Sequence, residues 1–264
     1  RRSSAFSDTF YAAETAGPDT LVQMASMGAV IFNFCWDDKL YFSGTVKGQD
    51  VGPGMLAHAI DLNLTNAPES CIKYLACGGL AMFWPEAAHP AIYRPYESVF
   101  DIDISFVGRK YGWRAEFNQQ LKRDGINVVT FGSGWDNGAL SDTEMIRLYS
   151  RSRINLGFSG VGYSKKLLCL KGRDFEIPMS GGLYLTQDNP ELNLVYDVGS
   201  EIVTYKNYAH CLKQIHWLLD NPDKAQEIRQ AGLRRALKDH TWDKRFTHIF
   251  SMSGILGDNV QDEK

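Results

Sequence analysis

The chain has 264 residues, a formal net charge of −3, 44% hydrophobic residues and five cysteines. That length suffices for two modest domains or one large one, and the mild acidity with scattered lysines and arginines offers no basic field for a nucleic-acid backbone. The cysteines (Cys35, Cys71, Cys77, Cys169, Cys211) are odd in number and form no C-x-x-C pair. They argue against a disulfide framework or zinc site and for reduced thiols in a cytoplasmic protein.

The opening RRSSAFSDTF is charged but has no apolar stretch behind it like a signal sequence, and no apolar run is long enough to span a bilayer. Pro18 then starts PDTLVQMASMG, a helix closed by Gly28 and followed by the strand-length run AVIFNF. The same helix-to-strand step repeats in GMLAHAI with DLNLTN and in ESCIKYLACGG with LAMFWPE, where Gly78 and Gly79 supply the C-cap and the turn. Such steps predict a parallel sheet covered by helices. The aperiodic, proline- and aromatic-rich HPAIYRPYESVFD reads as a linker, which places the domain boundary near Phe100, between residues 1–99 and 100–264.

Beyond it the spacing predicts the strand IDISFVG, the helix WRAEFNQQLKRD, the strand INVVTFG and a helix opened by the capping box SDTE. The strand INLGFS, the loop GVGYSKK, a helix in LKGRDFEIPMS, a Gly181-Gly182 turn, the strand LYLT and a short Pro190 helix follow. The remainder, from KNYAHCLKQIHWLLD onward, is helical. The fold class is α/β, with a doubly wound C-terminal domain ending in helices. YLACGGLAMFWPEAAHPAIY and EIPMSGGLYLTQDNPELNLVY share one order of features, either as an internal repeat or because any helix-to-strand turn favours glycine.

In FVGRKYGWR, Gly108 falls at a strand end, where ligands of open α/β sheets sit, with Arg109 and Arg114 beyond it to fork onto phosphate oxygens. A tight turn with solvated arginines is the alternative. FGSGWDNG offers Trp135 as a stacking platform or as a half-buried turn residue, and GFSGVGYSKK offers Ser159 as an anion donor without matching a dinucleotide or P-loop motif. LKGRDFEIPMSGG presents Lys171 and Arg173 on a helix with Glu176 one turn on, which is a site pairing or a surface ion pair. Asp101 and Asp103 form a D-x-D, but at the entry of a strand, opposite the ligand-binding edge, so no metal requirement is predicted.

LKGRDFEIPMSGGLYLTQDNPEL, with GSEIVTY and NPDKAQEIRQAGLRRALKDHTWDKRF, resembles the C-terminal domain of GT-B glycosyltransferases, and more narrowly the CgeB-like group named for a spore maturation protein. FNFCWDD, DLNLTN, WPEAAHPAIYRP and FDIDISFVG extend the likeness upstream. The resemblance implies two Rossmann-like domains, with residues 1–99 supplying only the later strands and helices of the acceptor domain. It implies transfer of a sugar from a nucleoside-diphosphate-sugar to an acceptor in the interdomain cleft, without metal or other cofactor.

It would put Glu176 on the nucleotide ribose, Arg173 and Lys171 on the diphosphate, Gly108 and Arg109 near the donor phosphates, and the turn at Gly181 on the pocket floor. Leu168 stands where retaining relatives commonly carry a second glutamate, which puts retention of configuration in doubt. If the enzyme inverts, Asp37, Asp38, His58, Glu86 and His89 are the polar groups from which a general base would come, Asp38 and His89 foremost. The competing expectations are a non-catalytic glycan-binding or assembly protein on the same scaffold and a nucleotide-sugar epimerase.

Overall fold

The apolar runs of the chain build two parallel sheets, each inside one of two compact units, Arg1–Pro85 and Glu86–Lys264. The structure, a computed structural model, describes residues 17–46 and 49–255, so the segment RRSSAFSDTF lies outside the described residues. Among them no helix is long and apolar enough to cross a membrane.

In the first unit, α1 (Pro18–Ser26) leads to β1 (Phe32–Cys35), and α2 (Asp38–Tyr41) is followed by the antiparallel pair β2 (Gly44–Val46) and β3 (Gln49–Val51). β4 (Leu62–Thr65) lies parallel between β1 and β5 (Ala81–Phe83), with α3 (Ser70–Ala76) connecting β4 to β5. GMLAHAI, expected as a helix, forms two short 3-10 turns instead, Pro53–Met55 and Ala57–Ala59. The reason is local. Gly52 adopts φ 107° against the Phe42 carbonyl, and a β-carbon on Gly54 would stand 2.7 Å from the Phe42 ring, so no regular helix extends through them.

In the second unit, β6 (Ile102–Val107), β7 (Val128–Phe131), β8 (Ser152–Leu156), β9 (Tyr184–Gln187) and β10 (Val203–Tyr205) form a parallel sheet in the order β10-β9-β8-β6-β7. The helices that connect successive strands are α4 (Arg114–Arg123), α5 (Asp142–Arg151) and α6 (Gly172–Met179), and α7 (Tyr208–Asp220), α8 (Pro222–Asp239) and α9 (Trp242–Met252) follow β10. Pro190 opens the short helix expected there, which is a 3-10 helix over Pro190–Leu194.

Phe117 and Leu121 of α4 and Ile215 and Leu218 of α7 pack on Ile104, Phe106, Ile154, Leu156, Leu185 and Val203 of the sheet. Each such buried side chain contributes about 1.5–3 kcal/mol, which makes this sheet a rigid platform. Ser105 and Asn155 are also buried, and Ser152 Oγ donates to Ser105 Oγ, which donates to Asn155 Oδ1 at 3.0 Å. The Asn155 amide then fills the space over Gly182, where a β-carbon would come within 2.7 Å of it.

The units divide between Pro85 and Glu86, ahead of the boundary read near Phe100. The proline-rich segment joins the second unit through hydrogen bonds. Ala88 pairs with Thr241, its amide donates to the His240 carbonyl, and the Tyr96 amide donates to Ser150 Oγ at 3.1 Å.

Candidate functional site

Because the chain leaves β6 toward β7 on one side and returns to β8 on the other, the sheet has a topological switch point between β6 and β8. Ligands of open parallel sheets bind at the carboxyl edge of such a point. Gly108 ends β6 there. Its amide donates to the Phe131 carbonyl, its own carbonyl accepts the Trp135 indole N–H at 2.8 Å, and a β-carbon on it would stand 3.2 Å from Arg173 Nη1. Two stretches far apart in sequence, FVGRK and LKGRD, therefore meet as a glycine backbone and a guanidinium.

Arg173 lies near the N-terminus of α6, its Cζ 5.8 Å from the centroid of the Phe106 ring, and its Nε has no hydrogen-bond partner. Burial works against its charge, but the field of Tyr184, Tyr149, Glu176 and Asp174 outweighs that and leaves its pKa raised. Arg114 is a second cation at the same ring, 5.6 Å from Phe106, and is only 5% exposed. Its Nη1 donates to the Arg109 carbonyl and its Nη2 to the Tyr111 hydroxyl. Burial and the neighbouring Arg173 push its pKa down to about 10. Neither guanidinium is ion-paired to a carboxylate among the described residues. Two concentrated positive charges thus converge on a switch point beside a helix N-terminus, which is the chemistry of an anion site.

Glu176, one turn along α6, does not pair with Arg173 as a surface ion pair would. Its Oε1 accepts the Tyr93 hydroxyl at 3.0 Å and lies over Gly172, where a β-carbon would approach it to 3.0 Å. Burial raises the pKa of this carboxyl, against the pull of Arg173 and Tyr93.

Asp174, fully buried between them, accepts the Lys171 amide and the Tyr184 hydroxyl, both at 2.8 Å. Burial pushes its pKa up to about 6 in spite of those bonds. It closes the first turn of α6, so Lys171 sits at the N-cap with its side chain partly exposed. Sequence reasoning passed over Asp174, although K-x-x-D ahead of an apolar run has the spacing of a capping box. Tyr93 lay in the stretch read as linker and carried no signal at all.

Other expected residues lie elsewhere. Gly181 adopts φ 71° at the C-terminal end of α6, packed on Pro95, which is the amino edge of the sheet and not the floor of a pocket at Gly108. The Ser159 side chain is buried, and its hydroxyl donates to the Gln187 carbonyl, so it is not free to meet an anion. Trp135 is fastened to Gly108 with Lys110 5.1 Å from its ring centroid, so it braces two loops instead of standing open as a platform. Arg109 is exposed beside Gly108.

His89 is exposed, its Nδ1 accepts the Ala91 amide, and its carbonyl accepts the Ile92 and Tyr93 amides, which makes it the cap of the turn that carries Tyr93. Asp38 is in the first unit and fully buried, hydrogen-bonded by Ser70 Oγ at 2.8 Å, with burial raising its pKa. An interior carboxyl of that kind fastens α2 to α3 and does not reach a substrate hydroxyl. Asp101 is ion-paired with Arg151 and Asp103 with Arg153, so the D-x-D is taken up in ion pairs at the start of β6.

Comparison with known proteins gives the geometry its context. The glycosyl transferase-like family profile matches residues 109–251. Among curated proteins none matches. Anabaena HepE, solved with UDP and glucose, superposes with a TM-score of 0.66 at 10% identity over 90% of this chain and 76% of its own. TarM gives a TM-score of 0.63 at 10% identity over 90% of this chain and 53% of its own. Sucrose-phosphate synthase from Thermosynechococcus elongatus gives 0.60 at 10% identity over 76% and 59%. The chain thus spans about six-tenths of the synthase and about half of TarM. These likenesses establish the fold, α/β with parallel sheets as in GT-B glycosyltransferases. With its profile match covering more than half of the sequence and running from the Arg109 turn through α9, the chain belongs to the glycosyl transferase-like family.

Proposed function

We propose that the chain transfers a sugar from a nucleoside-diphosphate-sugar to an acceptor, and that the diphosphate lies against Arg173, Arg114 and the N-terminus of α6, with Lys171 at its rim. The observation that carries this reading is the pair of guanidiniums at Phe106 beside Gly108, neither ion-paired to a carboxylate among the described residues. As the bond from the sugar to the diphosphate breaks, negative charge grows on the leaving oxygen. Preoriented cations in a half-dry site stabilise that charge more than they stabilise the ground state. Glu176, with one oxygen held by Tyr93, accepts from the ribose hydroxyls with the other.

No metal enters this scheme, since the guanidiniums supply the positive charge and the D-x-D is paired with arginines. The structures of HepE and of pneumococcal GtfA hold UDP, which makes UDP the first nucleotide to try. The CgeB-like group is the narrower placement we favour, on the strength of LKGRDFEIPMSGG. A cytoplasmic location goes with it, since all five cysteines are free thiols.

Calorimetry with UDP, GDP and ADP on the wild type and Glu176→Gln tests the donor site, and absence of binding to all three sinks the proposal. The burial of Asp38 and the capping role of His89 favour a second reading, glycan binding without turnover, because they occupy the two foremost candidates for a base. Release of free nucleotide from UDP-glucose in the presence of acceptor glycans decides for transfer. An altered sugar without acceptor would instead mark an epimerase.

A further inference from the structure

Glu176 is held from three directions by groups that ordinary packing does not demand. The Tyr93 hydroxyl donates to its Oε1, Gly172 leaves room for that oxygen where any other residue would crowd it, and Arg173 supplies a positive field from one turn earlier. Tyr93 is itself fixed. The His89 carbonyl accepts its amide at 2.8 Å, Pro95 packs on Gly181, and the Tyr96 amide donates to Ser150 Oγ, which donates to the Ser180 carbonyl. The segment is therefore pinned at both ends of the residue, and the phenol is presented to the carboxylate without loop entropy to lose on binding.

We propose that Tyr93 is a positioning residue of the donor site, holding one oxygen of Glu176 so that the other is oriented toward the ribose hydroxyls. The proposal rests on the assignment of Glu176 to the ribose. A free glutamate would sample several rotamers, and ribose binding would have to freeze them. With Oε1 tethered, Oε2 carries no hydrogen bond from the described residues and is aimed before the ligand arrives. The groups facing this carboxyl are Arg173 on its own helix, Tyr93 from the 86–100 segment, and Asp142 and Tyr149 from α5. The Tyr149 hydroxyl is buried without a partner beside the same cluster. Tyr93 and Arg173 favour the ionised carboxylate and Asp142 opposes it, so losing the phenol also makes Glu176 easier to protonate.

The experiment is calorimetric titration of the full chain with UDP and with 2′,3′-dideoxy-UDP, for wild type, Tyr93→Phe and Glu176→Gln, across pH 4.5 to 8. Wild type is expected to favour UDP over the dideoxy nucleotide by about tenfold or more, the usual penalty for leaving a built-in acceptor unpaired. Glu176→Gln removes most of that preference. Tyr93→Phe weakens UDP binding about tenfold with little effect on the dideoxy nucleotide, and moves the acid limb of UDP binding to higher pH. Melting temperatures near wild type show that the variants are folded.

If Tyr93→Phe weakens both nucleotides equally, or leaves the preference and the acid limb unchanged, the phenol is only a staple for its segment and the inference is overturned. If Glu176→Gln keeps the full preference, or if wild type binds none of UDP, GDP and ADP, the ribose assignment itself has failed. The inference then falls with it for that separate reason.

Discussion

The Arg173 guanidinium and the Gly108 backbone share one small volume, so that a β-carbon on Gly108 would lie 3.2 Å from Arg173 Nη1 and 2.9 Å from the Phe106 ring. Phe106 is a core residue of a rigid strand and does not yield easily, whereas a guanidinium with an unpartnered Nε does. Gly108→Ala is therefore expected to push Arg173 out of place. Nucleoside-diphosphate affinity should fall about tenfold or more for a displacement near 1 Å, with a stability cost of about 1–3 kcal/mol from overpacking. Calorimetry beside thermal melting checks it. Wild-type affinity in the variant would mean that Arg173 does not hold the ligand.

Arg114 gives a sharper test, because stability and binding should move in different directions. It is 5% exposed, stacked on Tyr111 at 4.1 Å, and carries a charge that burial and Arg173 both disfavour. A buried charge without a counter-ion costs folding energy, and an apolar side chain of similar length removes that cost. Arg114→Met is expected to melt at or above the wild-type temperature while nucleoside-diphosphate binding drops about 10- to 100-fold, the loss of a charge-assisted contact. Chemical denaturation and titration with the same nucleotide measure both sides. A variant that loses stability and keeps affinity would mark Arg114 as a structural residue.

The parallel sheet of the second unit was legible because its strands are short apolar runs and its helices carry strong caps. Ser141 with Glu144 forms the capping box that SDTE promised. GMLAHAI misled because its composition is helical while Gly52 and Gly54 are fixed by contact with Phe42, far away in periodicity terms.

The candidate site was legible where one stretch of sequence held the residues that the structure brings together. LKGRDFEI carries Arg173, Asp174 and Glu176 within a single helix turn or two. Tyr93 could not be read in the same way, since the role proposed for it comes from a hydrogen bond to a residue 83 positions away. Asp38 and Ser159 were legible only as polar residues, and burial decided their roles.

Two buried groups of the second unit make opposite predictions about acid, beginning with Asp174. Burial raises its pKa to about 6, above the value of about 3.9 in an unfolded chain, so the folded state binds its proton more tightly. Its contribution to stability is fully present below about pH 4 and is lost as pH rises through 6. At about 1.36 kcal/mol per unit this amounts to roughly 3 kcal/mol. Asp174→Asn should abolish that slope, so that the stability difference between variant and wild type shifts in favour of the variant as pH rises from 4 to 7. A constant difference over that range would show that the carboxyl is ionised throughout.

His240 acts in the reverse sense. Arg245 Nη2 approaches its Nδ1 at 2.9 Å and must donate to it, so the ring proton sits on Nε2 and is donated to the Val195 carbonyl at 2.7 Å. Burial, with Arg245 adding to it, lowers the pKa to about 4 from an ordinary 6.5. The unfolded chain takes up the proton first, so stability is lost as pH falls from 6.5 toward 4, again by roughly 3 kcal/mol. Over that window the Asp174 and His240 contributions oppose one another, and their sum in the wild type is close to flat. His240→Gln should expose the Asp174 slope, with stability rising on acidification, and Asp174→Asn should expose the His240 slope, with stability falling. Urea denaturation of both variants at pH 4.5, 5.5 and 6.5 measures the two signs, and a slope of the opposite sign in either variant would overturn the assignment of the group that variant retains.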